Sequence, residues 1–199
     1  LLLRAGPAEG RVVTSLVAFT VLVALVGLER IAELVVSTRN ARWSRERGGV
    51  EHGLGHFPFM VVLHTALLVG ALAEAWIRQP QVPSLLAWSM LGLVVASQAL
   101  RWWCIATLGP RWNTRVIVVP GMAPVTSGPY RYLRHPNYVA VVVEGVALPL
   151  VHAAWITALV FTVLNAALLV VRIRVEDAAL ATLPPADGTP EPRTEAAGA

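Results

Sequence analysis

Apolar and polar positions along this chain are segregated into long blocks instead of alternating with a short period. Val12 to Leu28, Phe57 to Ala73 and about Val82 to Leu100 are nearly unbroken apolar runs, and a fourth extends from Tyr138 to Val171. Crossing a hydrocarbon layer of ~30 Å takes ~20 mostly apolar residues in a helix rising 1.5 Å per residue. The first three runs therefore predict one crossing each. The fourth would reach ~50 Å as a single helix. Pro149 removes a backbone donor near its middle and His152 follows, which predicts a tight hairpin of two short helices. The expected architecture is an all-α integral membrane protein with about five transmembrane helices, the last two forming a hairpin.

Composition agrees with that pattern. Of the 199 residues, 56% are hydrophobic and 14% charged, and the charges gather in short stretches between the apolar runs. All sixteen basic residues are arginine. Five crossings put Arg30, Arg39, Arg42, Arg45, Arg47, Arg101, Arg111, Arg115, Arg131, Arg134, Arg172, Arg174 and Arg193 on one side and only Arg4, Arg11 and Arg78 on the other. An excess of arginine marks the cytoplasmic side, so the expectation is a multi-pass protein of the cell (inner) membrane with a cytoplasmic C-terminus. The arginines are spread over membrane-proximal loops without a groove-binding helix or a zinc motif, which argues against nucleic acid. A single cysteine, Cys104, supplies neither a disulfide nor a thiolate cage, and no metal site is expected. Val12 to Leu28 runs straight into charged residues without a clear cleavage pattern, so it is expected to remain as the first helix.

Residues 1–183 read as one membrane domain, with 1–11 an exposed lead-in and 184–199, rich in Pro, Ala, Gly, Glu and Thr, a disordered tail. Two polar loops fall on the predicted cytoplasmic face. Ser37 to His56 carries Gly48, Gly49, Gly53 and Gly55, and Arg101 to Asn137 is rich in tryptophan, arginine and proline. Within the second, Pro120, Gly121, Pro124, Gly128 and Pro129 forbid a spanning helix over 116–130. Irregular backbone at membrane depth is tolerated where it is buried in protein or lines a polar cavity.

Chemistry concentrates in two places. Gly128-Pro-Tyr-Arg-Tyr-Leu-Arg-His-Pro-Asn-Tyr138 crowds two arginines and a histidine before a helix that starts at Pro136. A helix N-terminus with guanidinium ions beside it suits a carboxylate, while an interfacial basic and aromatic belt explains the same residues. Arg172-Ile-Arg-Val-Glu-Asp177 puts Arg172 and Glu176 one helical turn apart. Its acids suit a ligand ammonium group or ribose hydroxyls, or else form a solvated helix end. Glu144 lies inside the fourth apolar run, where a carboxylate is expensive and is either paired with an arginine or orients a substrate. Glu29, Arg30 and Glu33 close the first helix in this reading. His64 and Glu74 are weaker candidates, because one polar residue in a membrane helix often serves helix association.

Tyr130-x-x-x-Arg134-His135-Pro136-x-Tyr138, a helical hairpin, and then Arg172-x-x-x-Glu176-Asp177 resemble the cofactor-binding core of the isoprenylcysteine carboxyl methyltransferase family, over roughly residues 95 to 181. The family's usual continuation, a glycine followed by spaced tyrosines and a basic end, is missing after Leu180. The resemblance implies five or more membrane helices, S-adenosylmethionine held between the two motifs, and a lipophilic acceptor entering from the bilayer. It assigns cofactor binding to Tyr130, Arg134, His135, Pro136, Tyr138, Glu176 and Asp177. A second resemblance joins Glu29-Arg30-x-x-Glu33-Leu34, Ser37-x-Arg39-Asn40, Gly48-Gly49, Glu51-x-Gly53 and His64 to Leu108-Gly109-x-x-Trp112-Asn113-x-Arg115. That set is similar to the bacterial branch found beside type III polyketide synthases, and it implies O-methylation of alkylpyrones or alkylresorcinols.

Methyl transfer from a sulfonium is an in-line displacement, so the protein has to align the reacting atoms and exclude water. A ring hydroxyl is acidic enough for positive charge from Arg115 or Arg172 to favour its anion. The reacting group is expected near Asn113, Arg115 and Arg172, with Glu144 a further candidate for catalysis or substrate orientation. Carboxyl methylation of an isoprenylcysteine-like substrate is the alternative within the family. An NADPH-dependent membrane reductase and a non-catalytic scaffold are the alternatives outside it. A glycine-rich loop after a strand is absent, which excludes a Rossmann domain.

Overall fold

The computed structural model of the protein describes residues 7–184, with side chains from residue 12 onward except at position 56. Of the expected lead-in at 1–11, residues 1–6 lie outside the described residues and 7–11 already belong to the first helix; of the expected tail at 184–199, residues 185–199 lie outside them. Among the described residues five α-helices follow one another: α1 (Pro7–Arg45), α2 (Phe57–Arg78), α3 (Ser84–Leu108), α4 (Pro136–Leu150) and α5 (Trp155–Leu180). Four of them, α1, α2, α3 and α5, are long and apolar enough to cross a membrane. The chain is an all-α, multi-pass membrane protein with a small β-ribbon added. The ribbon pairs β1 (Val50–His52) antiparallel with β2 (Val116–Val118), Glu51 opposite Ile117.

The bundle is apolar on both sides, as expected of a protein dissolved in lipid. Leu16, Phe19, Val23 and Val26 form the buried stripe of α1 and pack against Ala71, Ala75, Val94, Ala147 and Leu148. Val13, Val17, Val21, Leu25, Leu28 and Ile31 form an outward stripe on the same helix and are at least half exposed. In water this stripe would be polar. Small residues let the helices approach, because in lipid close van der Waals packing replaces the hydrophobic drive. A Cβ built on Gly145 of α4 would lie 2.1 Å from Phe161 Cε1 of α5, so glycine is needed where the hairpin's two arms touch.

Three expectations are corrected. The final hairpin exists, turning at residues 151–154, but only α4 is short. Its fifteen residues reach ~22 Å, whereas α5 has the length of a full span. Pro149 does not break the helix at its own position but sits in its last turn, one residue before the end at Leu150. The first helix does not close at Glu29 to Glu33. It continues to Arg45, because its charged residues find partners inside the bundle, and its buried stripe simply turns from apolar to polar at Glu33, Ser37 and Ser44. Arg101, assigned to a loop, is a buried residue of α3. The segment 116–130 holds no spanning helix, as expected, and is irregular apart from a 3-10 turn that begins at Gly128 and β2, whose Val116 and Val118 pack on Ala179 of α5.

Candidate functional site

The two motifs separated by the hairpin meet at one end of the bundle. His135 is the residue before α4, and Pro136 occupies the helix's first turn, fully buried. The peptide before it is shaped by Gly128, whose φ of +56° and close approach to Thr107 (2.5 Å from a built Cβ to Oγ1) admit no side chain. From the last turns of α5, Asp177 accepts from His135 Nε2 (3.0 Å) and pairs with Arg134 (3.1 Å). Glu176 accepts from the Tyr138 hydroxyl and lies 3.4 Å from His135 Nδ1. Arg172 does not pair with Glu176 directly. Its Nε donates to the Tyr138 oxygen (2.8 Å), so Tyr138 relays between the guanidinium and the carboxylate. The basic cluster and the acid pair thus clamp each other; Arg131 is exposed and takes no part.

The Glu176 carboxylate beside His135 raises the imidazole above its ordinary range in spite of burial, and Asp177 adds to the effect. A raised histidine stabilises the fold below its unfolded value of about 6.5 and loses that contribution as pH rises through the higher native value. The thermal midpoint of the ligand-free protein should therefore fall as pH is raised above that value. In His135→Gln this part of the slope should vanish, which a series of melts across pH measures. Burial pushes the Tyr130 phenol far above its usual range, so it stays a neutral hydrogen-bond donor.

Around this junction lies a cavity of 440 Å³. Asn113, Arg115, Tyr130, Arg134, His135, Tyr138, Arg172, Glu176 and Asp177 all line it. Pro136 and Glu144 do not. Arg115 is held by Glu51 of β1 (2.7 Å) and lies over the Phe57 ring. Burial raises the Glu51 carboxyl, but hydrogen bonds from Arg115 and then Arg45 outweigh it and hold the group below its ordinary range. The charge of Arg115 is thus already matched. Buried Asn113 Oδ1, Asn137 Oδ1 and His135 Nδ1 have no hydrogen-bond partner among the described residues.

A second cavity, of 250 Å³, adjoins the first, and Trp112, Asn137, Tyr138 and Arg172 line both. Its other walls are mainly apolar, from α1, α2, α4 and α5. Ile31 and Leu34 of α1 and Val61 of α2 line it and are themselves exposed, so accessible apolar side chains of these two helices border it. Arg172 is buried at this junction and is fixed by Tyr138, by the Thr114 carbonyl (2.6 Å) and by Met60 Sδ (3.0 Å). Arg115 reaches only the first cavity.

Glu144, a candidate for catalysis, is instead locked in a buried ion cluster with Arg101 (2.5 Å) and Arg30 (3.5 Å). Sequence reasoning overlooked Asn137, the unspecified position of the His-Pro-x-Tyr motif, which faces both cavities. It also overlooked Asn165, a buried amide in the otherwise apolar middle of α5, whose cost in lipid was the available signal. Asn40 donates to the carbonyls of Gly109 (3.1 Å) and Trp112 (2.7 Å), and Ser37 meets Thr114 (2.8 Å). Through these contacts α1 holds the irregular segment before β2 that carries Trp112 and Arg115.

A polar cavity set against a mainly apolar one, in a bundle of helices long and apolar enough to cross a membrane, defines a membrane protein with two adjoining pockets of contrasting polarity. The family model of isoprenylcysteine carboxyl methyltransferases matches residues 90–182. The chain is 36% identical over 162 residues to the uncharacterized protein YpbQ of Bacillus subtilis (strain 168), covering 81% of this chain and 96% of YpbQ. It is 28% identical over 159 residues to an uncharacterized protein of Haemophilus influenzae, covering 78% and 91% respectively. No solved structure matches. The chain belongs to the isoprenylcysteine carboxyl methyltransferase family, whose members are membrane methyltransferases that use S-adenosylmethionine.

Proposed function

We propose that this protein, acting as a single unit over residues 1–183, transfers a methyl group from S-adenosylmethionine to a ring hydroxyl of a long-chain alkylpyrone or alkylresorcinol. The observation that carries the reading is the shared wall of the two cavities at Trp112, Asn137, Tyr138 and Arg172. The residues of the polar cavity suit the cofactor. Glu176 and Asp177 match an ammonium group and hydroxyls, Arg134 and His135 match a carboxylate, and the unpartnered oxygens of Asn113 and Asn137 offer further acceptors. When bound, the cofactor supplies an electrophilic methyl on a sulfonium. The chain's part is to align the acceptor, exclude water and stabilise the acceptor's anion, for which Arg172 at the shared wall is better placed than Arg115.

The apolar cavity takes the acceptor's head group, and its tail leaves between α1 and α2 into the bilayer. Each buried methylene favours the membrane by ~0.8 kcal/mol, so the substrate arrives by lateral diffusion. Tail length is then read loosely and the head group strictly. The arginine asymmetry favours a cytoplasmic polar cavity and C-terminus in the inner membrane. Purified protein with methyl-labelled S-adenosylmethionine should methylate long-chain alkylresorcinols or alkylpyrones at the ring oxygen. Efficient methylation of farnesylcysteine with none of any phenolic lipid would return the protein to the family's namesake reaction, which the family match equally allows.

A further inference from the structure

The second cavity has a polar floor that the ion pairs alone do not satisfy. Arg30 and Glu33 of α1 and Arg101 of α3 line it. Arg30 Nη1 bonds Glu33 Oε2 (2.9 Å), and Arg101 Nη2 bonds Glu144 (2.5 Å). Three atoms are left over. Glu33 Oε1, Arg30 Nε and Arg101 Nε are buried without a hydrogen bond; Glu33 Oε1 and Arg101 Nε lie 3.5 Å apart, a charge contact only. The Glu33 and Arg101 side chains are 5% and 4% exposed. Leaving such atoms unpaired costs ~1–3 kcal/mol each, and more for charged groups, so a cavity lined by the three residues that carry them calls for an occupant.

The donor set defines that occupant. A hydroxyl donates to Glu33 Oε1 and accepts from a guanidinium N–H, and so satisfies both kinds of atom. A carboxylate has no proton to give and would face the Glu33 carboxylate with its own charge. His64 points the same way. Its Nδ1 donates to the Met60 carbonyl (2.8 Å), which leaves Nε2 of the neutral ring as another acceptor on this cavity.

We infer that Glu33, with Arg30 and Arg101, binds a hydroxyl of the acceptor's ring other than the one that is methylated, and that this cluster selects a head group bearing two hydroxyls. The inference rests on the acceptor assignment above and narrows it to the alkylresorcinol, because a hydroxypyrone methylated at its ring hydroxyl has no second hydroxyl to offer. A hydroxyl held at this cluster leaves a second one, meta to it, to face the wall shared with the polar cavity. Glu33 is a specificity-determining residue; it takes no proton in the transfer.

The test compares a 5-alkylresorcinol with the 3-alkylphenol carrying the same tail, using the intact protein and measuring both kcat/KM and equilibrium binding. A site built to hydrogen-bond a hydroxyl rejects the analogue that lacks it, so the resorcinol should be favoured by at least about a hundredfold. Glu33→Gln should shrink that ratio at least about tenfold while S-adenosylhomocysteine affinity stays at the wild-type level. Parity of the two lipids in the wild-type protein would mean that the cluster holds only water and would overturn the inference with the acceptor assignment intact. A ratio unchanged in Glu33→Gln overturns it as well. If neither lipid binds or turns over while farnesylcysteine is methylated, the acceptor assignment fails and the inference fails with it. Should Glu33→Gln lose its fold, the wild-type comparison still decides between preference and parity.

Discussion

Glu176→Ala is expected to weaken S-adenosylmethionine binding by about one to two orders of magnitude while the helical bundle stays intact. Glu176 lies at the wall of the polar cavity, where it accepts from Tyr138 and faces His135. A hydrogen bond to a charged group contributes ~1.5–3 kcal/mol, or roughly ten- to 150-fold in affinity. Loss of the carboxylate also releases the Tyr138 hydroxyl on which Arg172 rests, so the damage spreads to the wall between the cavities. His135→Ala should act in the same direction through both acids. Calorimetric titration with S-adenosylhomocysteine, with the ligand-free melt as a control for folding, measures the effect. Wild-type affinity in both variants would remove the cofactor from this cavity.

Glu144→Ala should be the most destabilising single change in the bundle while leaving cofactor affinity nearly unaltered, provided that folded protein is recovered. Glu144 sits between Arg101 and Arg30, and Arg30 and Arg101 in turn contact Glu33. Removal of one partner from a buried pair costs about 3–5 kcal/mol, because the remaining charge has no solvent to turn to. The double change Arg101→Met with Glu144→Met removes both charges and should recover much of that loss. The detergent-solubilised melts of the three variants form the comparison. A Glu144→Ala protein as stable as the wild type, with turnover abolished, would make Glu144 part of the chemistry instead of the scaffold.

Both effects depend on contacts between residues far apart in the chain, and they mark where sequence reasoning stopped. The Arg134-His135-Pro136-x-Tyr138 and Arg172-x-x-x-Glu176-Asp177 motifs were legible because their residue types are costly near a membrane and sit at helix ends. Their direct mutual pairing, with Tyr138 as the relay, was not legible. The spacing of Arg172 and Glu176 suggested an ion pair along α5, yet the side chains meet through a residue of α4. Glu144 illustrates the same limit. A lone carboxylate in an apolar run shows that something compensates for it, and only the crossing of α1, α3 and α4 shows that the compensation is Arg101 and Arg30.

Hydrophobic block length by itself determined that this chain is a helical membrane protein, since backbone groups in lipid have to be satisfied within each segment and an apolar run therefore encodes a helix locally. It also determined the hairpin and the irregular stretch before α4, where proline and glycine act on the backbone directly. Tertiary structure alone decided how far α1 continues, because charged residues extend a helix only when partners from other helices neutralise them. It also decided the β-ribbon that holds Arg115 and the junction of a polar and an apolar cavity at Arg172. No local period carries those features; they arise where segments distant in sequence share one buried space.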